Sequence, residues 1–105
     1  MATYQILYWH DIPAQVRAKG EGRERASAPL PQRFMDAIDS AAMQAGLVGS
    51  DEYTDAFEWG ETLERDGSAQ EVAQAVAAEL DTQMPRIDWR ATGERAKRQA
   101  AKNGG

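Results

Sequence analysis

A strand near the start of the chain is apolar on both faces, and this feature constrains the fold more than any other. It covers residues 3–10, and its apolar side chains alternate between the two sides, with Tyr4, Ile6 and Tyr8 opposite Leu7 and Trp9. Such a strand lies inside a sheet, or it carries helices on one face and other cover on the second. The sequence therefore predicts a layered domain built around this strand.

The next segment has the pattern of an exposed hairpin. Pro13 interrupts the apolar run, and residues 15–19 and 25–30 then flank a Gly-Glu-Gly turn at residues 20–22. These two strands are weakly apolar, and Pro29 with several Arg and Lys residues is typical of a sheet edge that resists pairing with other chains.

Two helices and one further strand follow. Residues 31–45 have apolar side chains at helical spacing and end at Gly46, while Ser68 and Glu71 form a capping-box pattern before a helix over residues 68–82. Between them, aromatic residues at positions 53, 57 and 59 predict a strand over residues 53–62, although Asp55 falls on its aromatic side. We expect both helices to share one core.

These elements, in the order β-β-β-α-β-α, predict an α+β fold in which two helices pack on one face of a three- to four-stranded, mostly antiparallel sheet. We expect one domain over residues 1–89. Residues 90–105 form a basic C-terminal tail that we expect to be flexible or marginally helical, because its apolar content is only alanine.

Composition narrows the classes of function. The 105 residues carry a net charge of −5 and no cysteine, which excludes disulfides and thiolate metal sites and is typical of a reducing compartment. No secretory signal or membrane span is visible, so we expect a cytoplasmic protein without membrane contact. Residues 1–85 carry a charge of −9, which disfavours nucleic acid as a ligand, whereas residues 86–105 carry +4. This tail could contact RNA, another anionic partner or the acidic body itself, or remain solvated.

His10 is the one side chain with an ordinary pKa near neutrality. It lies next to Asp11, but neighbouring strand residues point to opposite faces, so a partner for acid–base chemistry would come from another strand, such as Glu58 or Glu61. One interpretation is a cleft around Trp9, His10, Trp59 and Glu61. The other is a structural histidine at a strand end. No residues have the spacing of metal ligands, and we expect no catalytic residue, metal or cofactor.

The aromatic residues allow a second kind of site. Three tryptophans are more than two short helices and a sheet readily cover, so one or two could mark an interaction surface. Trp89, which follows the second helix, is the candidate for contact with a partner, and the alternative is that it docks on its own domain.

Several motifs together resemble one family. They are Tyr-Trp-His-Asp-Ile-Pro-Ala-Gln-Val at residues 8–16, Leu-Pro-Gln-Arg-Phe at 30–34 with the helix after it, Phe-Glu-Trp-Gly-Glu at 57–61, and Arg-Asp-Gly-Ser at 65–68. Over residues 3–82 the chain resembles the small bacterial virulence factor family, related to a module of conserved virulence factor C. The resemblance supplies no catalytic residues. It implies an interaction role, and for stand-alone members an association with one-carbon enzymes, namely methylenetetrahydrofolate reductase or corrinoid methyl transfer.

Two classes of function therefore stand at this point. The first is a non-catalytic accessory domain that binds another protein, such as a one-carbon enzyme. The second is a small enzyme or ligand-binding protein with a cleft around His10. A third possibility is binding of RNA or another anionic partner through the basic tail. The position of His10, in an open pocket facing carboxylates or merely at a strand end, distinguishes the first two.

Overall fold

A computed structural model of the chain describes residues 1–103 and contains five strands and four helices within them. In chain order they are β1 (Ala2–Trp9), β2 (Ile12–Lys19), β3 (Arg25–Pro29), α1 (Gln32–Ala45), α2 (Asp51–Asp55), β4 (Phe57–Trp59), β5 (Leu63–Arg65), α3 (Ala69–Gln83) and α4 (Trp89–Asn103). The predicted α+β class is confirmed, with five strands rather than three or four.

The strand that is apolar on both faces lies in the interior of the sheet. β1 pairs with β2 along one edge and with β4 and β5 along the other, and every pairing is antiparallel. β3 pairs with the outer edge of β2, so the order is β3-β2-β1 followed by β4 and β5. The interior position predicted for β1 is confirmed.

Pro13 lies inside β2, whereas the sequence predicted that this strand begins only at residue 15. β2 begins at Ile12, and Pro13 lies opposite Tyr8. Leu7 pairs with Gln15, so Ala14 is an extra residue in β2 and the register shifts there. A proline is tolerated beside such a bulge because the regular ladder of hydrogen bonds is already broken at that point.

The predicted hairpin is confirmed as β2 and β3. The amide of Gly20 donates to the carbonyl of Glu24 at 2.9 Å, and Gly22 has a φ of 64°, in the left-handed region that glycine adopts without strain. β3 is the edge strand, as its proline and basic residues predict.

The strand predicted over residues 53–62 is wrong. Residues 51–55 form α2, and the rest divides into β4 and β5, which pair with opposite ends of β1. Tyr53 and Phe57 are four residues apart, a spacing that suits one side of a helix turn as well as alternate strand positions, and their rings meet edge to face at 5.6 Å. Asp55, which did not fit the strand pattern, ends the helix.

Helices α1 and α3 both pack against the sheet, but they form two buried clusters rather than the single core expected. In α3, Val72 and Val76 pack with Val16 of β2. In α1, Ile38 packs with Trp9 and Ile12 near the β1–β2 turn. The ends of both helices follow the sequence: Ser68 and Glu71 form the predicted capping box, and Gly46 ends α1 with a φ of 74°.

The basic segment forms helix α4, which packs along α1. Gly93 allows the two helices to approach closely, because a Cβ at this position would lie 3.1 Å from the carbonyl oxygen of Ala41. Ala96 and Thr92 are buried on the same helix. Of the two states expected for the tail, flexible or helical, the structure has the helix. The division of the chain at residue 89 stays a prediction. Residues 104 and 105 of the tail lie outside the described residues. Within residues 1–103, no helix has the length and apolar character needed to cross a membrane.

Candidate binding groove

His10 lies in the tight turn between β1 and β2, with a left-handed backbone. Its φ is 56°, the one positive value among the non-glycine residues of the described chain. Histidine adopts this region more readily than most residues, but at a small energetic cost. Its ring meets the edge of the Trp9 ring, with 4.5 Å between the centroids. His10 is therefore held in a defined position at the surface.

An open groove of about 570 Å³ lies beside this turn. Its lining combines His10 with three carboxylates, two aromatic rings and an apolar floor, and consists of Tyr8, His10, Leu47, Glu52, Asp55, Ala56, Glu58, Trp59, Gly60, Ala96, Gln99 and Ala100. We call this feature the His10 groove. His10 thus lies in an open pocket together with carboxylates, which is the arrangement expected for a ligand-binding protein or a small enzyme rather than for a structural histidine at a strand end.

The carboxylates come from two neighbouring elements. Glu52 and Asp55 are three residues apart on α2, and side chains at that spacing lie on the same side of a helix. Glu58 belongs to β4 and lies directly opposite Tyr8 in the pairing with β1. The ion pairs found in residues 1–103 involve none of these three carboxylates.

Trp9 fixes α2 next to the sheet. Its side chain is fully buried, and its indole N–H donates to the backbone carbonyl of Tyr53 at 2.9 Å. The ring of Tyr53 lies 6.0 Å from that of Trp9, and its hydroxyl donates to Asp39 at 3.1 Å. The position of the groove carboxylates on α2 therefore depends on a contact made by the residue next to His10.

Helix α4 supplies the remaining wall of the groove through Ala96 and Ala100. Asp11, next to His10, holds this helix: it accepts a hydrogen bond from the Thr92 hydroxyl at 2.5 Å and forms an ion pair with Arg95. The basic segment thus contacts the acidic body of its own chain, one of the four possibilities that its charge allowed.

The pKa of His10 lies below its ordinary value of 6.5. Partial burial is the main cause, and the nearby Arg95 guanidinium acts in the same direction, whereas Asp11 and Glu58 act against it. This shift favours the neutral imidazole at pH 7, in which one ring nitrogen can accept a hydrogen bond.

The structure brings together three of the residues that the sequence singled out. His10, Trp59 and Glu58, one of the two possible partners of His10, line the groove. Trp9 is fully buried beneath them, so it shapes the groove without facing it. Glu61 is exposed outside the groove lining. Trp89 is partly buried against the α1 cluster, the alternative in which it docks on its own domain.

Sequence reasoning missed Tyr8, Glu52 and Asp55 as groove residues. As a strand, residues 53–62 would have excluded Glu52 and turned Asp55 toward a core. The three-residue spacing of the two carboxylates was the available signal, since it places them on one side of a helix. No group of three or more histidine and carboxylate side chains in residues 1–103 is arranged to hold a metal ion.

The comparisons with known proteins identify a family. The sequence model of the family described as Virulence factor matches residues 7–91, which include β1 from Leu7 through the start of α4. No curated protein and no solved structure matches the chain. The resemblance inferred from the motifs is thus confirmed, and most of α4 lies beyond the matched residues.

A pH titration of His10 by NMR tests the electrostatics of the groove. We expect a pKa below 6.5, and we expect Glu58→Gln to lower it further because a neighbouring negative charge is removed. Glu61→Gln, outside the groove, is the control and should leave the pKa of His10 unchanged.

The lowered pKa also makes stability depend on pH. Because the folded state binds a proton on His10 less readily than the unfolded state, the contribution of His10 to the free energy of unfolding is present above pH 6.5 and is lost as the pH falls below that value. A pKa of 6.5 or higher in the wild type would contradict this description.

Proposed function

This chain belongs to the Virulence factor family, and we propose that it is a non-catalytic interaction domain whose His10 groove binds a basic segment of a partner protein. The observation that carries the proposal is the composition of the groove, in which three carboxylates and two aromatic rings surround an apolar floor.

Charge supports a basic ligand. Glu52, Asp55 and Glu58 line one groove, and the lowered pKa of His10 disfavours a positive charge on its imidazole at pH 7. A cationic segment would relieve the repulsion among these carboxylates and would be attracted by the charge of −9 carried by residues 1–85.

The aromatic and apolar lining supports lysine or arginine side chains in particular. These side chains combine a charged end with an apolar stem, and the stem packs against aromatic rings such as Tyr8 and Trp59. Leu47 and the alanines of α4 provide an apolar floor that suits an aliphatic neighbour in the same peptide. The groove thus offers complementary surfaces for alternating basic and apolar residues.

The resemblance to modular relatives supports a protein as the partner. A companion role beside a one-carbon enzyme, which that resemblance implies, is a specific case of this proposal, with the basic segment located on the enzyme.

Fluorescence polarisation with a labelled eight-residue peptide of alternating Lys and Leu tests the proposal. We expect binding to the wild type and a loss of about fivefold in affinity for Glu52→Gln/Asp55→Asn, because two exposed charges that face the ligand are removed. The matched control is Glu61→Gln/Asp66→Asn, which makes the same charge change at exposed positions outside the groove and should bind within about twofold of the wild type.

An equal loss of affinity in the two double variants would show that only the overall charge matters, and it would contradict a role for the groove. No binding to the wild-type protein would contradict it as well. Thermal unfolding of each variant shows whether the fold is retained.

A second candidate is a small enzyme in which His10 acts as a general base. The observation that favours it is a neutral histidine in a strained backbone conformation at an open groove, an arrangement found at catalytic sites. Incubation of a metabolite extract with the wild type and with folded His10→Ala, followed by mass spectrometry, separates the two candidates. Under the proposed interaction role we expect the same metabolite profile from both proteins. Consumption of a metabolite by the wild type alone would establish the enzyme instead.

A further inference from the structure

Opposite the α3 cluster, the sheet has a second face. Outside the β1–β2 turn, where Trp9 and Ile12 are covered by the α1 cluster, this face has no buried side chain in the described residues. Directly paired residues share a face, so the cross-strand pairs identify its members: Thr3, Gln5, Leu7, Gln15, Arg17, Lys19, Arg25, Ser27, Pro29, Trp59 and Glu64. We call this surface the open face. It meets the His10 groove at Trp59, which lines both, but it includes none of the groove carboxylates Glu52, Asp55 and Glu58.

Positive charge is concentrated on the β2–β3 half of the open face. Lys19 lies directly opposite Arg25, and Arg17 is two residues away on the same strand. Lys19 and Arg25 are exposed, and neither forms an ion pair with a carboxylate of residues 1–103. Like charges directly opposite each other across a strand pair repel, so an anion between them would be stabilising.

Arg17 is fixed in place by its neighbours. Its Nε and Nη2 atoms donate to Oε1 of Gln5 at 3.1 and 2.7 Å, and its guanidinium carbon lies 3.7 Å from the centre of the Trp59 ring. A guanidinium has five N–H donors, so these two bonds leave three available. Because the Arg17 side chain is already held in place, it loses little conformational entropy when it binds a carboxylate, which favours binding.

A shallow groove of about 400 Å³ connects these groups and is lined by Arg17, Lys19, Arg25, Ser27 and Trp59 among others. We propose that it binds an extended acidic peptide segment of a partner protein. In an extended peptide, every second side chain points to the same side at a spacing of about 6.8 Å, which is also the spacing of Arg17 and Lys19 along β2. Alternate carboxylates of the peptide therefore match successive cations of the strand.

Two observations favour a peptide over a nucleic acid. The basic area covers only two strands, and Glu64, opposite Thr3, adds a negative charge toward the other edge of the same face. The whole chain carries −5, which would repel a long polyanion that extends past the basic area. A short acidic segment is attracted locally and avoids that repulsion.

Fluorescence polarisation with a labelled eight-residue peptide of alternating Glu and Ala tests this proposal on the full chain. We expect Lys19→Ala/Arg25→Ala to weaken binding about five- to tenfold, with a steep decrease in affinity as salt is added. The matched control is Lys97→Ala/Arg98→Ala on α4, which also removes one lysine and one arginine from exposed positions and should bind within about twofold of the wild type.

Three results would overturn the proposal. The wild type could fail to bind the acidic peptide, the α4 variant could lose as much affinity as the β-strand variant, or a labelled octauridylate RNA could bind more tightly than the peptide and depend on Lys19 and Arg25. The last result would assign the open face to nucleic acid.

We expect the thermal stability of Lys19→Ala/Arg25→Ala to equal or exceed that of the wild type, since two opposed like charges are removed. Binding of the Lys–Leu peptide at the His10 groove is measured separately, so either proposal can fail alone.

Discussion

The hydrogen bond from the Trp9 indole to the carbonyl of Tyr53 is the interaction on which the candidate site depends. It joins the end of the central strand to a helix of five residues, α2, that has no buried side chain of its own. Such a short helix is unstable in isolation, because helix nucleation is unfavourable and its amphipathic face is too small. Anchoring by Trp9 therefore positions Glu52 and Asp55, while the strand that contains Trp9 also leads directly to His10.

Charge is divided between two surfaces of the domain. The His10 groove collects carboxylates from α2 and β4, while the open face presents the cations of β2 and β3. The excess positive charge of the C-terminal segment is partly used inside the molecule, where Asp11 holds Thr92 and Arg95 of α4. The net charge of −5 is therefore unevenly distributed: the acidic groove suits a basic partner segment, and the basic half of the open face suits an acidic one.

The sequence predicted the elements whose signals are local. Ser68 and Glu71 mark the start of α3, Gly46 marks the end of α1, and the glycine turn marks the hairpin, since each acts on its immediate backbone. Elements that depend on distant contacts were misassigned or left uncertain. The tyrosine of α2 is held by a residue 44 positions away, and α4 packs through glycine and alanine, which give no apolar periodicity. The groove combines both kinds of element, so its carboxylates could not be found from spacing alone.

Hydrogen–deuterium exchange of Trp9→Phe tests most directly whether Trp9 organises the site. Phenylalanine retains most of the apolar volume but removes the indole donor, a loss of about 1–1.5 kcal/mol for a partly buried hydrogen bond. We predict that exchange at the amides of residues 50–57 accelerates by about tenfold relative to those of α3. Trp89→Phe is the control: the Trp89 ring stacks with the Arg90 guanidinium and, within residues 1–103, forms no hydrogen bond to α2, so this variant should leave the ratio unchanged. The same acceleration in α2 and α3, or none in either, would contradict the account.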